Sequence, residues 1–164
     1  MTVPEKQATI NLGSAMRLIS LVILSALMLA ACEGPVVRTT VEEEAMAKTF
    51  APPPPSLATL YIYRAGNYAW AWPVEVTVVG AVYTRMPVDT FVRVEVPPGP
   101  AEVNCLTNAR SDRQRREVLA DQIRYFQVTL YRGEYGPYCL VAEVAPDAGQ
   151  AFVRADRRIQ SMSP

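Results

Sequence analysis

Histidine is absent from this 164-residue chain. With it go the commonest general base and the commonest zinc ligand, so a Ser–His or Cys–His nucleophile has no partner. Lysine is almost missing too: only Lys6 and Lys48 occur, near the start and well outside any expected core. Charge of one sign is not in excess, because 16 Lys+Arg balance 16 Asp+Glu. That excludes the basic footprint of a nucleic-acid binder. There is no Cys-x-x-Cys, no glycine-rich phosphate loop and no calcium loop, so neither cofactor nor metal is expected. Paired carboxylates are the catalytic option left, as in glycoside hydrolysis. Glu75, Glu95, Glu102, Glu143, Asp89 and Asp121 fall on or beside expected strands, most of the strand ones in a water-facing phase. A solvated surface, and a protein that is not an enzyme, is the reading. Half the residues are apolar, enough for a packed core.

Long hydrophobic runs are missing as well. The longest, Leu18–Ala31, has 14 residues without a charge and follows Arg17. Spanning a bilayer takes roughly 20, so the run reads as the hydrophobic region of a signal peptide. It closes on Leu29-Ala30-Ala31-Cys32, which resembles the lipobox of bacterial lipoproteins. The resemblance implies cleavage before Cys32 and acylation of that cysteine, which ties the protein to a membrane. Met16-Arg17 begins a complete leader, so Met16 is the expected start and residues 1–31 are the expected leader. Each buried acyl methylene contributes ~0.8 kcal/mol, so several chains anchor firmly. Glu33 rather than Asp follows the cysteine; by the same resemblance the destination is the outer membrane, facing the periplasm.

Residues 32–56 read as the lipidated cysteine and a tether. Glu42–Glu44 is an acidic cluster, and Pro52–Pro55 favours polyproline II at about 3.1 Å per residue. Spacer is preferred over a docking site for a proline-recognition module. From residue 57 to 164 the pattern becomes that of one β domain. Val74, Val76, Val78 and Val82 alternate with polar residues, as do Val92, Val94 and Val96 with Arg93 and Glu95. Pro97-Pro98-Gly99-Pro100 marks a turn, after which Ala101, Val103 and Cys105 continue inward. Leu57–Arg64, a short piece near Glu117–Ala120, Ile123–Tyr131 with Phe126, Val128 and Leu130 inward, and Cys139–Val144 complete about seven short strands. Between the last two, Gly133–Pro137 supplies a turn. The expected fold is an all-β antiparallel β-sandwich, since no room exists for the helical crossovers of a parallel sheet. A short C-terminal helix is expected, capped by Asp147 with Gln150, burying Ala148, Ala151, Phe152, Ala155 and Ile159. Arg154, Arg157 and Arg158 suit its negative end.

Leu57–Arg64 (LATLYIYR), Val74–Gly80, Thr90–Gly99 (TFVRVEVPPG) and Gln122–Tyr131 (QIRYFQVTLY) together resemble the bacterial lipoprotein family called domain of unknown function 2846. The likeness covers about residues 57–145. Asp121-Gln122 stands where members usually carry a glycine. The resemblance implies a periplasm-facing sandwich and brings no activity or catalytic residues.

With Cys32 acylated, Cys105 and Cys139 remain, and an even count in an oxidising compartment favours a disulfide. Cys105 shares phase with Val103, but Cys139 is out of phase with Leu140 and Ala142, which are expected to face inward, and that leaves two separate buried thiols as the alternative. Tyr68, Trp70, Trp72 and Tyr83 gather around the loop Ala65–Pro73, as a stacking platform for sugar rings or as caps on the core. Arg110, Arg113, Arg115 and Arg116 read as a solvated hairpin loop or as a contact for an anionic envelope polymer. The functional expectation is an envelope lipoprotein with a non-catalytic binding or structural module. Envelope proteins or cell-wall polymer are the candidate partners. Carbohydrate or peptidoglycan contact through the aromatics is the alternative, and a carboxylate-dependent hydrolase the weakest one.

Overall fold

Alternating valines build a sheet with one dry face, and two such sheets stacked dry face to dry face are what this chain forms. The computed structural model describes residues 38–66, 72–78, 82–108 and 110–160. Cys32, the leader, Tyr68 and Trp70 lie outside them. In chain order the described elements are α1 (Val41–Ala47), β1 (Ala58–Ala65), β2 (Val74–Val78), β3 (Val82–Met86), β4 (Thr90–Val96) and β5 (Gly99–Leu106). These are followed by β6 (Ser111–Val118), β7 (Ile123–Gly133), β8 (Gly136–Val144), α2 (Pro146–Ala155) and β9 (Arg157–Arg158). One sheet has five strands in the order β8-β7-β1-β4-β9; the other has four, β3-β2-β5-β6.

The all-β sandwich with its C-terminal helix is therefore as expected, with one refinement of strand direction. β1 runs parallel to β7, Leu60 opposite Arg124, and β4 runs parallel to β9. No helical crossover is needed between β1 and β7, because the chain leaves the five-stranded sheet, builds strands of the other sheet and returns; β9 is reached over a helix, α2. For β1 and β7 the opposite sheet serves as the crossover that a parallel pair requires.

Between the sheets lies an apolar core of Leu60, Ile62, Val74, Val76, Val92, Val94, Val103, Phe126, Val128 and their neighbours. Each such side chain removed from water contributes about 1.5–3 kcal/mol. Cys105 on β5 and Cys139 on β8 are bonded across this core, 6.2 Å between Cα atoms, so the disulfide ties one sheet to the other. The expected inward phase of Leu140 and Ala142 is corrected, and the conflict with it disappears: Cys139 and Val141 are the buried residues of β8, while Leu140 is half-buried and Ala142 exposed.

All eight residues of β1 are buried, which one core alone does not explain. Tyr61, Tyr63, Phe91 and Tyr125 form a second cluster on the outer face of the five-stranded sheet, with Ala47 of α1 and Val153 of α2. Tyr61 and Tyr125 stack at 5.3 Å, and the Tyr61 hydroxyl donates to the Ala47 carbonyl at 2.6 Å. Part of the expected tether is thus folded. Thr40 and Glu43 form a capping box that starts α1, and Arg158 donates through its side chain to the Glu43 carbonyl. Pro53 is buried as well.

Three other expectations need correction. Asp147 does not cap α2: Pro146 takes the first turn behind Ala145, with no side-chain cap. The buried face of α2 is Gly149 and Val153, not Ala148, Ala151 and Ala155, because a side chain at position 149 would collide with the Tyr125 ring. Phe152 stacks on Tyr63 at the flank, and Ile159 is buried beyond the helix, paired with Arg38 in a bridge. Finally, the arginine-rich segment is no loop. Arg113, Arg115 and Arg116 lie on β6, a full strand that replaces the short one expected near Glu117–Ala120.

Candidate functional site

Strand pairing gathers the ends of β1, β3, β5 and β7 and the starts of β2, β4, β6 and β8 at one end of the sandwich. Trp72 stands there, 56% exposed, so it does not cap the core. It borders a cavity of about 350 Å³ whose lining includes Glu75, Arg85, Leu106, Asn108 and Pro137. Aromatic and aliphatic surface beside a few polar groups is the usual make-up of a small-ligand site. Tyr131 and Tyr138 stack at 5.6 Å on the neighbouring β7–β8 hairpin, and Tyr135 at its tip is almost fully exposed. Tyr83 lies on β3, paired with Thr77 through the backbone.

What holds Trp72 in place is a residue the sequence reading passed over. Arg64 continues the inward phase of Leu60 and Ile62 on β1 and is 1% exposed. Its Nη1 donates to the Trp72 carbonyl at 2.7 Å and to the Met86 carbonyl at 2.9 Å. Burial lowers its pKa, and the charge of Asp89 acts in the opposite direction. An arginine in the inward phase of an apolar strand was the available signal, since buried charge persists only when it is well partnered.

A second cavity, about 570 Å³, opens where β3, β4, α2 and β9 meet, lined by Arg38, Asp89, Thr90, Asp156, Arg157 and Ile159 among others. Asp89 sits in a tight turn at φ 56°, and its carbonyl accepts from the Arg157 amide at 3.0 Å. Asp156 ends α2 and is 6% exposed. Burial first, and then the charge of Asp89, push its pKa up to about 6. Tyr63 is pushed up to about 12 by burial and by the Asp156 charge. No spacing in the sequence joined Asp89 to Asp156; only the parallel β4–β9 pairing brings them together.

Of the remaining acids, Glu75, Glu102 and Asp112 line a third cavity, about 700 Å³, together with Arg113. Glu143 accepts from Arg124 at 2.6 Å and from Arg116 at 2.8 Å. Burial alone would raise its carboxyl, but these two hydrogen bonds hold it below the usual value. With Asp112, which accepts from the Val141 amide at 2.9 Å, Arg116 closes the seam between edge strands β6 and β8. An edge strand with its amides engaged is protected from pairing with another chain. Glu95 pairs with Arg93 and Asp121 makes a turn at φ 63°. Glu75 and Glu102 face outward on the four-stranded sheet; Arg110 precedes β6, exposed.

Fold and site together define a two-sheet β-sandwich with an inter-sheet disulfide, a cavity beside an exposed tryptophan and another beside a buried aspartate. No protein-family model and no curated protein matches the chain.

Proposed function

We propose that this protein is an envelope lipoprotein, acylated at Cys32 and held on the periplasmic side of the outer membrane. Its sandwich serves as a non-catalytic binding or structural module. The observation that carries this reading is the Cys105–Cys139 bond across the core. Such a bond persists in oxidising compartments and is rare in the cytosol. It supports export, and the lipobox-like Leu29–Cys32 supplies the anchor to go with it. Kinship with the domain of unknown function 2846 lipoproteins belongs to the same proposal and rests on the strand segments quoted above. Intact mass of protein purified from membranes, with and without reduction before thiol alkylation, tests it. A species beginning at acylated Cys32, two mass units light until reduced, is expected. A chain that keeps its leader and has free thiols overturns it.

One observation favours a second reading within that frame, contact with carbohydrate or peptidoglycan. Trp72 is exposed beside a cavity that also presents Glu75, Arg85 and Asn108. An aromatic face beside polar groups suits a sugar ring, whose C–H face stacks while its hydroxyls find hydrogen bonds. Trp72→Ala is expected to abolish retention on isolated cell-wall material while leaving the melting temperature within a degree or two of the parent. Undiminished retention removes this reading.

A further inference from the structure

The cavity around Asp156 plays no part in the reading above, and its chemistry is unusual. Asp156 is more than nine-tenths buried, and its Oδ2 has no hydrogen-bond partner among the described residues. Asp89 lines the same cavity, so two carboxylates share a confined space. A buried carboxylate without a counter-charge is costly, and a second one beside it raises that cost. Lys48 is the ammonium whose charge reaches Asp156, but its Nζ is already bound to Glu44 at 2.7 Å. The charge of Asp89 already acts on the buried Arg64, so Asp156 is the carboxylate that a cation carrying N–H donors would partner. On the rim of the cavity stand Arg38 and Arg157, both exposed and without side-chain hydrogen bonds among the described residues. Guanidinium groups match the oxygens of a phosphate. The lining thus asks for one small molecule bearing an ammonium and a phosphate.

Position says where such a molecule comes from. Arg38 is held to Ile159 by a backbone bridge, and Thr39 donates to the Arg158 carbonyl, so this edge of the sandwich is where the chain joins the domain. Cys32 lies six residues earlier. Six residues span at most about 20 Å whatever their conformation. A lipid surface around an acylated Cys32 is consequently within reach of this edge.

We propose that the cavity binds the phosphoethanolamine headgroup of a membrane lipid. The ammonium sits against Asp156, in the part of the cavity that Asp89 also lines, and the phosphate lies against Arg38 and Arg157. The lipid source rests on the acylation reading; the headgroup chemistry does not.

The test uses the mature protein in detergent, titrated with glycerophosphoethanolamine and glycerophosphocholine and read by melting temperature and by calorimetry. Glycerophosphoethanolamine is expected to bind and raise the melting temperature. Glycerophosphocholine, whose trimethylated nitrogen has no N–H, is expected to bind at least about tenfold more weakly. Asp156→Asn and Arg157→Ala are each expected to weaken the first ligand about tenfold or more, with both variants still melting cooperatively. Equal binding of the two headgroups, no binding of either, or full binding by folded Asp156→Asn overturns the proposal. Native mass spectrometry separates the source: a co-purifying ethanolamine phospholipid lost in Asp156→Asn supports the lipid. Binding of the soluble headgroup by a chain whose intact mass shows no acylation keeps the chemistry and overturns the lipid source.

Discussion

The two sheets share one core, yet their outer faces have opposite characters. On the five-stranded sheet the outer face carries Tyr61, Tyr63, Phe91 and Tyr125, and α1 and α2 pack over them. On the four-stranded sheet it carries Glu75, Thr77, Glu102, Asn104, Arg113 and Arg115, and no described element covers it. The difference lies in the residues that alternate with the core valines. Where these are aromatic, the sheet recruits more chain, including a segment whose composition reads as a spacer. Where they are polar, the sheet stops at water. One face is therefore structural and the other tolerant, and substitution experiments put that contrast in numbers.

The largest effect is expected at Tyr61. It stacks on Tyr125, lies near Phe50 and Phe91, and bonds the Ala47 carbonyl. Tyr61→Ala is expected to lower stability by about 3–5 kcal/mol in urea unfolding, as large-to-small changes in a packed core do. Tyr61→Phe removes only the hydroxyl and is expected to cost about 1 kcal/mol. Should Tyr61→Ala cost under about 1 kcal/mol, α1 and α2 are appendages and the second core has no structural weight.

Breaking the disulfide acts on both faces alike, since it joins the sheets rather than decorating either. Replacing Cys105 and Cys139 with serine is expected to destabilise by about 3–4 kcal/mol, the chain-entropy value for a separation of 34 residues. A matching fall in the urea midpoint on reduction of the parent checks it.

The same contrast governs what was legible beforehand. β4 and β5 were plain because each alternates valine with charge and a Pro-Gly turn separates them. β6 was not, because an edge strand with both faces near water (Ser-Asp-Arg-Gln-Arg-Arg-Glu-Val) has the composition of a loop. The docking of α1 was hidden behind three glutamates, although Thr40 followed by Glu43 is the start signal of a helix and was there to be read. In α2 the apolar count pointed to the alanines, whereas contact is made at Gly149, the residue that lets the helix approach Tyr125. As for the sites, the loop marked Trp72 but not its role, since an aromatic there reads more readily as a cap on the core than as the exposed ring it is. Asp156 beside Asp89 was not legible, since it depends on a parallel pairing that no local pattern announces.

A smaller effect is expected where the covered face meets the Asp156 cavity. The folded-state pKa of Asp156 is raised from 3.8 to about 6, so between those values the folded protein holds a proton the unfolded chain has lost. Its contribution is fully present below about pH 4 and is lost as pH rises through 6. Asp156→Asn removes that loss and is expected to stabilise the unliganded protein by about 1–3 kcal/mol at pH 7.5, with no gain near pH 4. Melting curves of both proteins across this range check the sign. A gain independent of pH means that packing, not charge, distinguishes Asn from Asp.

The smallest effect is expected on the uncovered face. Arg113 lies outward on β6 opposite Asn104, in a strand that is exposed at most positions. Its side chain removes little apolar surface from water, and exposed charges add little to stability. Arg113→Ala is therefore expected to change stability by under about 0.5 kcal/mol in urea, an order of magnitude below Tyr61→Ala. The comparison becomes sharper if Ser111→Ala, at the same outer face, is equally silent. A loss above about 2 kcal/mol at Arg113 has a definite meaning: something packs on that face in the folded protein, and the sandwich has two structural faces rather than one.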